Sequence, residues 1–264
     1  MHSVCFTFVF VETDLKIMAI LASEFEKLFW VDADAFLLRN FDYIESQTTT
    51  GTLFWRDMHK SARENPVWHI ADLKPFEGLT LESGILLVDK ATKWRMLHVT
   101  AYLNQKQNFY YAMLWGDKDT FYIACEVLKE ECTLIPYGLM LLGKRNDDLR
   151  VEMNLTDLAP GGFTGYTYLQ PDMEGRPVCV HLASGGKNIG LPLMKKGKRM
   201  YSFVRSYDPN KAHLSPIGKM RDVVVDEGDY YAPLYPSEKV IGPFEETLLS
   251  VYQEAQQFLD ALNH

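Results

Sequence analysis

The sequence holds no apolar stretch near the roughly 20 residues that a membrane helix needs. Its apolar segment Val4 to Val11 is far shorter and reads as a strand, and nothing basic precedes it except His2, so it does not read as a signal peptide. A long basic run is also missing outside Lys195-Lys196-Gly197-Lys198-Arg199, and the net charge is −8, which excludes nucleic acid as an expected partner. The four cysteines, Cys5, Cys125, Cys132 and Cys179, lack CxxC spacing, which argues against structural zinc. Their even number leaves disulfides open and the redox compartment undetermined. No internal repeat or low-complexity tract is present.

What the chain does have is 264 residues that are 47% hydrophobic, enough for one large α/β domain with a core or at most two small ones. Its most informative stretch is Leu28-Phe29-Trp30-Val31-Asp32-Ala33-Asp34. Four apolar residues rich in aromatic and β-branched types read as a buried strand, and such strands in open α/β sheets deliver ligands to their carboxyl ends. Two carboxylates one residue apart repel each other, so a hard divalent cation with oxygen ligands is their natural compensator, and a cation would in turn hold phosphates.

Around this stretch the pattern is one of alternating strands and helices. Asp14 to Ser23 carries Leu15, Met18, Ala19 and Leu21 at approximately helical spacing. Asn40 or Asp42 can cap a short helix through Ile44, and Gly51 to Trp55 reads as a strand closed by Arg56-Asp57. Ile85 to Val88 is a further buried strand, entered through Glu82-Ser83-Gly84. Helices are expected over Thr92 to Gln107, with Trp94, Leu97 and Ala101 inward, and over Asp117 to Leu128, with acids at the end the helix dipole favours. Val178-Cys179-Val180 reads as a short strand and Ser184-Gly185-Gly186 as a loop. The division expected is a domain over residues 1–206, followed at 207–264 by a proline-rich extended segment and an amphipathic helix, Glu245 to Leu262.

Four clusters follow the DxD: Gly51-Thr-Leu-Phe-Trp-Arg-Asp57, Leu81-Glu-Ser-Gly-Ile-Leu-Leu-Val-Asp-Lys90, Trp115-Gly-Asp-Lys-Asp-Thr-Phe121 and His181-Leu-Ala-Ser-Gly-Gly-Lys187. This ordered set resembles the fungal-type α-mannosyltransferases of the Golgi, which form α-1,2 and α-1,3 linkages on mannan and N-glycan outer chains. The resemblance covers about residues 13 to 190. It implies an α/β, GT-A-like glycosyltransferase with a mixed, mostly parallel sheet flanked by helices. It further implies GDP-mannose as donor, a mannosylated glycan as acceptor, Mn²⁺ (or Mg²⁺) as cofactor, retention of the anomeric configuration and a Golgi-lumenal enzyme anchored as a type II membrane protein.

Carried onto this sequence, Asp32 and Asp34 match the metal and nucleotide-sugar motif, and His181 matches the late histidine that completes the metal site. Glu82, Asp117 and Asp119 match positions expected to contact the transferred sugar, with Trp55, Asp57, Ser83, Gly84 and Lys187 as accompanying substrate-binding candidates. The chemistry of these residues agrees: imidazole with carboxylates suits Mn²⁺ better than cations that prefer all-oxygen shells. Lys187, across a glycine loop from His181, can reach the same phosphates. Asp117 and Asp119 also fit the ordinary duties of a helix cap and first turn, and Trp55 the ordinary duty of a core aromatic. Asn154-Leu155-Thr156 is a glycosylation sequon that matters only in the secretory pathway, and such triplets also arise by chance.

Only 31 residues precede Asp32, whereas the nucleotide-base half of a GT-A domain takes on the order of 80 to 100 residues. The expectation is a chain that lacks part of its amino-terminal nucleotide-binding half and its membrane anchor, and that binds GDP-mannose weakly or not at all. A glycogenin-like transferase using a UDP-sugar and a non-catalytic remnant are the competing readings.

Overall fold

The structure is a computed structural model, and it describes residues 6–8, 15–153, 160–182, 194–195, 198–199, 203–206, 213–214 and 235–236. From the amino end, β1 (Phe6–Phe8), α1 (Leu15–Ala22) and β2 (Lys27–Asp32) are followed by β3 (Ala35–Leu37), α2 (Phe41–Glu45), β4 (Thr52–Lys60) and α3 (Pro66–Ile70). Next come β5 (Leu79–Asp89), α4 (Lys90–Gln105), α5 (Gln107–Tyr110), α6 (Lys118–Leu128), β6 (Thr133–Leu134), β7 (Met140–Arg145) and α7 (Asn146–Met153). The later elements are strands: β8 (Phe163–Pro171), β9 (Pro177–His181), β10 (Met194–Lys195), β11 (Lys198–Arg199), β12 (Phe203–Ser206), β13 (His213–Leu214) and β14 (Tyr235–Pro236). Among the described residues no helix is long and apolar enough to cross a membrane.

The chain divides into two compact units. The first takes Met1–Ala33, Asn40–Gly138 and Tyr207–Tyr231, and the second takes Asp34–Arg39, Leu139–Ser206 and Ala232–His264. In the first unit the sheet runs β1-β2-β5-β4-β13, with β6 also on β4. The short pairs β1/β2, β4/β6 and β4/β13 are parallel, but the long central pairs β2/β5 and β4/β5 are antiparallel. The sheet is therefore mixed, as expected, though its long pairs are not the parallel ones anticipated. A strand covered on both faces reads as one apolar run whichever way its neighbours point, so composition alone does not fix direction. In β5 ten consecutive residues from Leu79 to Val88 are buried: β2 and β4 cover its two edges, and α4 and α6 pack on it.

Ile17 and Ile20 of α1, Trp30 of β2, Phe54 of β4, Leu86 and Val88 of β5, Met96 and Leu97 of α4 and Phe121 of α6 form the core of this unit. Asn40 caps α2 through the amide of Tyr43, and Asp89 caps α4 by accepting from Ala91 and Thr92. Trp94, expected inward on α4, is 50% exposed; Met96, Leu97 and Ala101 carry that helix's buried stripe instead. A disulfide joins Cys125, near the end of α6, to Cys132 just before β6. Lys129 ends α6 in the left-handed conformation at φ 55, which turns the chain back toward that bond.

The second unit is an antiparallel sheet in the order β14-β12-β7-β8-β9-β3, with a separate β10/β11 hairpin. Gly143 and Gly165 sit opposite each other across β7 and β8, and a Cβ on Gly143 would meet the carbonyl oxygen of Thr164 at 2.0 Å. That close backbone approach requires glycine there. Cys179 is a buried residue of β9, its thiol 3.6 Å from the Val180 carbonyl oxygen. The expected Glu245 to Leu262 helix, the Asn154 sequon, Lys187 and most of the proline-rich segment lie outside the described residues.

Candidate functional site

In the second unit β3 starts one residue after Asp34 and β9 ends on His181. The antiparallel ladder pairs Ala35 with His181, and the Leu182 amide donates to the Asp34 carbonyl at 2.9 Å. Backbone pairing thus closes a separation of 147 residues (181 − 34) and sets His181 Nε2 3.3 Å from Asp34 Oδ1. All five residues of β9 are buried, so the imidazole is held in place, with the Tyr168 ring edge-on at 6.3 Å. Its side chain is 5% exposed and that of Asp34 17%. A nitrogen donor beside a carboxylate oxygen, held by one ladder, is a donor set that fits a transition-metal cation. Asp32 precedes Asp34 by two residues and ends β2 in the first unit. Two residues of chain span at most about 7 Å, which limits the separation of their Cα atoms.

The first unit carries a larger polar cluster inside otherwise apolar elements. Lys16 of α1 points its ammonium at Ser83 O (2.7 Å), Ser83 Oγ (3.0 Å), Asp32 Oδ1 (3.3 Å) and Asp117 Oδ2 (3.4 Å). Asp32 Oδ1 also accepts from the Trp30 indole at 2.5 Å. Asp117 is the residue before α6, but its side chain does not cap the helix; it accepts from Ser83 Oγ at 3.3 Å instead. On the other side of Ser83, Glu82 Oε2 accepts from the Gly84 amide at 2.8 Å. Lys118 Nζ lies 2.9 Å from Asp57 Oδ2 and 4.0 Å from Glu82 Oε1.

An irregularity in the sheet makes room for this cluster. Between β4 and β5 the register jumps from Phe54↔Leu86 to Trp55↔Glu82, so Ser83, Gly84 and Ile85 fall in the gap. A bulge of this kind releases backbone groups from the ladder and re-aims side chains, and here the released Gly84 amide turns to the Glu82 carboxylate. Glu82-Ser83-Gly84 therefore lies within a long buried strand rather than at its mouth, and Glu82 is 4% exposed.

The cluster sets five acids, Asp32, Asp57, Glu82, Asp117 and Asp119, against two lysines. Burial alone would lower the pKa of Lys16, but Asp117, Asp32 and Glu82 together outweigh it and hold the group above the ordinary lysine value. Asp119 is pushed up to about 6, chiefly by burial and further by Asp57 and Asp117, while the Leu81 amide and Lys118 pull the other way. Its Oδ1 accepts from Leu81 N at 2.8 Å, so this side chain fastens α6 to β5. That is closer to a structural duty than to sugar contact.

Trp55 is fully enclosed, its ring centroid 6.2 Å from that of Phe29, and offers no face to a sugar. The expectation of Trp55 as a substrate-binding residue is corrected accordingly: Phe29 of β2 and the middle of β4 pack against each other there. Trp115, thrown outward by the turn at Gly116 (φ 69), is 55% exposed beside Asp117. Sequence patterns did not single out Lys16, Trp30 or Lys118. The available signal for Lys16 was a lone cation in the apolar run Leu15 to Ala22, and for Lys118 its place between two acids.

Residues 2–77 and 70–159 match the family described as "Mannosyltransferase putative". The Alpha-1,2-mannosyltransferase MNN2 of Candida albicans is 27% identical over 165 aligned residues, which cover 44% of this chain and 28% of that protein. The aligned part thus spans under a third of the length of that relative.

Proposed function

Because matched segments cover more than half of it, the chain belongs to this mannosyltransferase family, and from that premise we propose that it serves metal-dependent transfer of mannose from GDP-mannose to a mannose-bearing glycan, with the anomeric configuration retained. The observation that carries the reading is the approach of His181 Nε2 to Asp34 Oδ1 at 3.3 Å. Asp34 and His181, with Asp32 two residues back along the chain, would hold Mn²⁺ (or Mg²⁺). A cation so held supplies Lewis-acid stabilisation of the negative charge that gathers on the departing diphosphate.

The chain's own residues supply orientation. Glu82 and Asp117 face one buried polar cluster and accept hydrogen bonds from the hydroxyls of the transferred sugar. Asp57, Ser83 and Gly84 line the same cluster, Asp119 braces α6 behind it, and Lys187 is proposed to reach the diphosphate. In the transfer the bond from the anomeric carbon to the diphosphate oxygen breaks, the bond to the acceptor oxygen forms, and the acceptor proton passes to a base. The α-1,2 linkage in the name of the Candida relative makes an α-linked product the first one to seek.

A Golgi-lumenal location accords with the Cys125–Cys132 disulfide, since such bonds persist in oxidising compartments and are rare in the cytosol. The test is a thermal shift of the chain with GDP or UDP, each with and without Mn²⁺. Stabilisation by GDP that needs Mn²⁺ is the expected result. Preference for UDP would favour a glycogenin-like donor choice, and no response to either nucleotide would favour a binding remnant and contradict the proposal.

A further inference from the structure

We propose that Lys16 and Trp30 are positioning residues that clamp Asp32, fixing the direction in which its carboxylate meets a divalent cation. The inference rests on Asp32 being a metal ligand, as read above. Two donors converge on the same oxygen, Asp32 Oδ1: the Trp30 indole N–H at 2.5 Å and the Lys16 ammonium at 3.3 Å. Two fixed donors on one oxygen set the rotation of the carboxylate plane. Trp30 and Asp32 are i and i+2 on β2, so their side chains emerge on one face of the strand, which is what lets the indole reach the acid.

Both donors are themselves immobilised. Trp30 is 4% exposed and packs in the core of the first unit. The Lys16 side chain is 11% exposed, its ammonium lies 5.7 Å from the centre of the Trp30 ring, and its remaining contacts go to Ser83 O, Ser83 Oγ and Asp117 Oδ2. An ammonium has three protons, and four protein oxygens already share them. Lys16 therefore acts through Asp32 and Asp117 rather than on a substrate, and it ties the carboxylate proposed for the metal to the one proposed for the sugar. Groups that orient a metal ligand commonly matter to affinity as much as about 10- to 100-fold.

The experiment measures Mn²⁺ affinity by electron paramagnetic resonance on residues 1–264, with circular dichroism to follow folding. Trp30→Phe keeps the ring and removes only the donor. The double variant Lys16→Met with Asp117→Asn removes one positive and one negative charge, so the net charge near Asp32 is unchanged and what remains is the loss of orientation. Each should fold and bind Mn²⁺ about tenfold more weakly or worse, with an altered line shape. If one variant fails to fold, the other decides. Asp34→Asn separates the two levels of the reading: parent binding that Asp34→Asn abolishes, together with unchanged affinity in the folded clamp variants, overturns the clamp alone. No saturable Mn²⁺ binding by the parent, or binding indifferent to Asp34→Asn, overturns the metal reading and the clamp with it.

Discussion

The acid cluster of the first unit and the Asp34–His181 pair of the second surround their carboxylates differently, although the second unit also pairs its buried Asp172 with Arg176 and Lys144 with Glu152. The first gathers five acids around Lys16 and Lys118, so each carboxylate meets an ammonium, an amide or a hydroxyl supplied by the chain itself. In the second unit the Asp34 carboxylate lies 3.3 Å from the His181 imidazole, with no lysine or arginine in that contact. Ammonium groups among the acids hold those carboxylates in place, whereas a carboxylate oxygen beside an imidazole nitrogen is a donor pair that suits a transition-metal cation. Stability should therefore depend on Lys118 of the first unit, and cation binding on Asp34 and His181 together with Asp32.

The largest effect expected from breaking this comparison is at His181. His181→Ala should reduce metal-dependent transfer on the order of a thousandfold, equivalent to ~4 kcal/mol, while shifting the melting temperature little. Lys118→Met should do the reverse to stability. Loss of the ammonium from between Asp57 and Glu82, which are 5% and 4% exposed, should cost about 3 kcal/mol in a denaturant titration. A melt of Lys118→Met that matches the parent would mean the acids are compensated without it.

Much of the first unit was legible from sequence, and the reason is local. The helical spacing before β2, the Asn40 cap, the buried run of β5 and the acid-flanked start of α6 are all set by residues near one another along the chain. The cluster's lysines were not legible, because Lys16 and Ser83 are 67 residues apart and meet only once α1 packs over β5. The DxD was expected at a ligand-binding strand end of an open sheet, with His181 completing its metal site. Asp34 and His181 meet because the start of β3 lies beside the end of β9 in an antiparallel pair. The bulge that encloses Glu82 depends on the register of β4 against β5, which no single strand's composition encodes.

A smaller effect should follow reduction of Cys125–Cys132, whose sequence separation is 7. Short loops return little chain entropy, so dithiothreitol should cost about 2 kcal/mol and leave Mn²⁺ affinity unchanged. A loss of Mn²⁺ binding on reduction would show that this bond supports the metal site.

The smallest effect is at Asp119 and depends on pH. Its folded pKa of about 6 lies above the ordinary aspartate value, so between about pH 4 and 6 the native state binds more protons than the unfolded chain. The contribution is then greatest with the group protonated, below pH 4, and is lost as pH rises through 6. Asp119→Asn, which keeps an acceptor for Leu81 N without the charge, should gain about 1 kcal/mol over the parent at pH 7, with the difference vanishing toward pH 4. Equal stabilities of parent and variant across that range would show that burial does not burden this carboxylate.

The central claim is that Asp34 and His181 form the metal-dependent part of a mannosyl-transfer site, and the most direct measurement is radiolabelled mannose transfer from GDP-mannose to an α-mannose oligosaccharide by residues 1–264. The account predicts transfer that EDTA abolishes, Mn²⁺ restores and Asp34→Asn or His181→Ala lowers on the order of a thousandfold in folded protein, equivalent to ~4 kcal/mol. Undiminished transfer in EDTA, or in either variant, would contradict it.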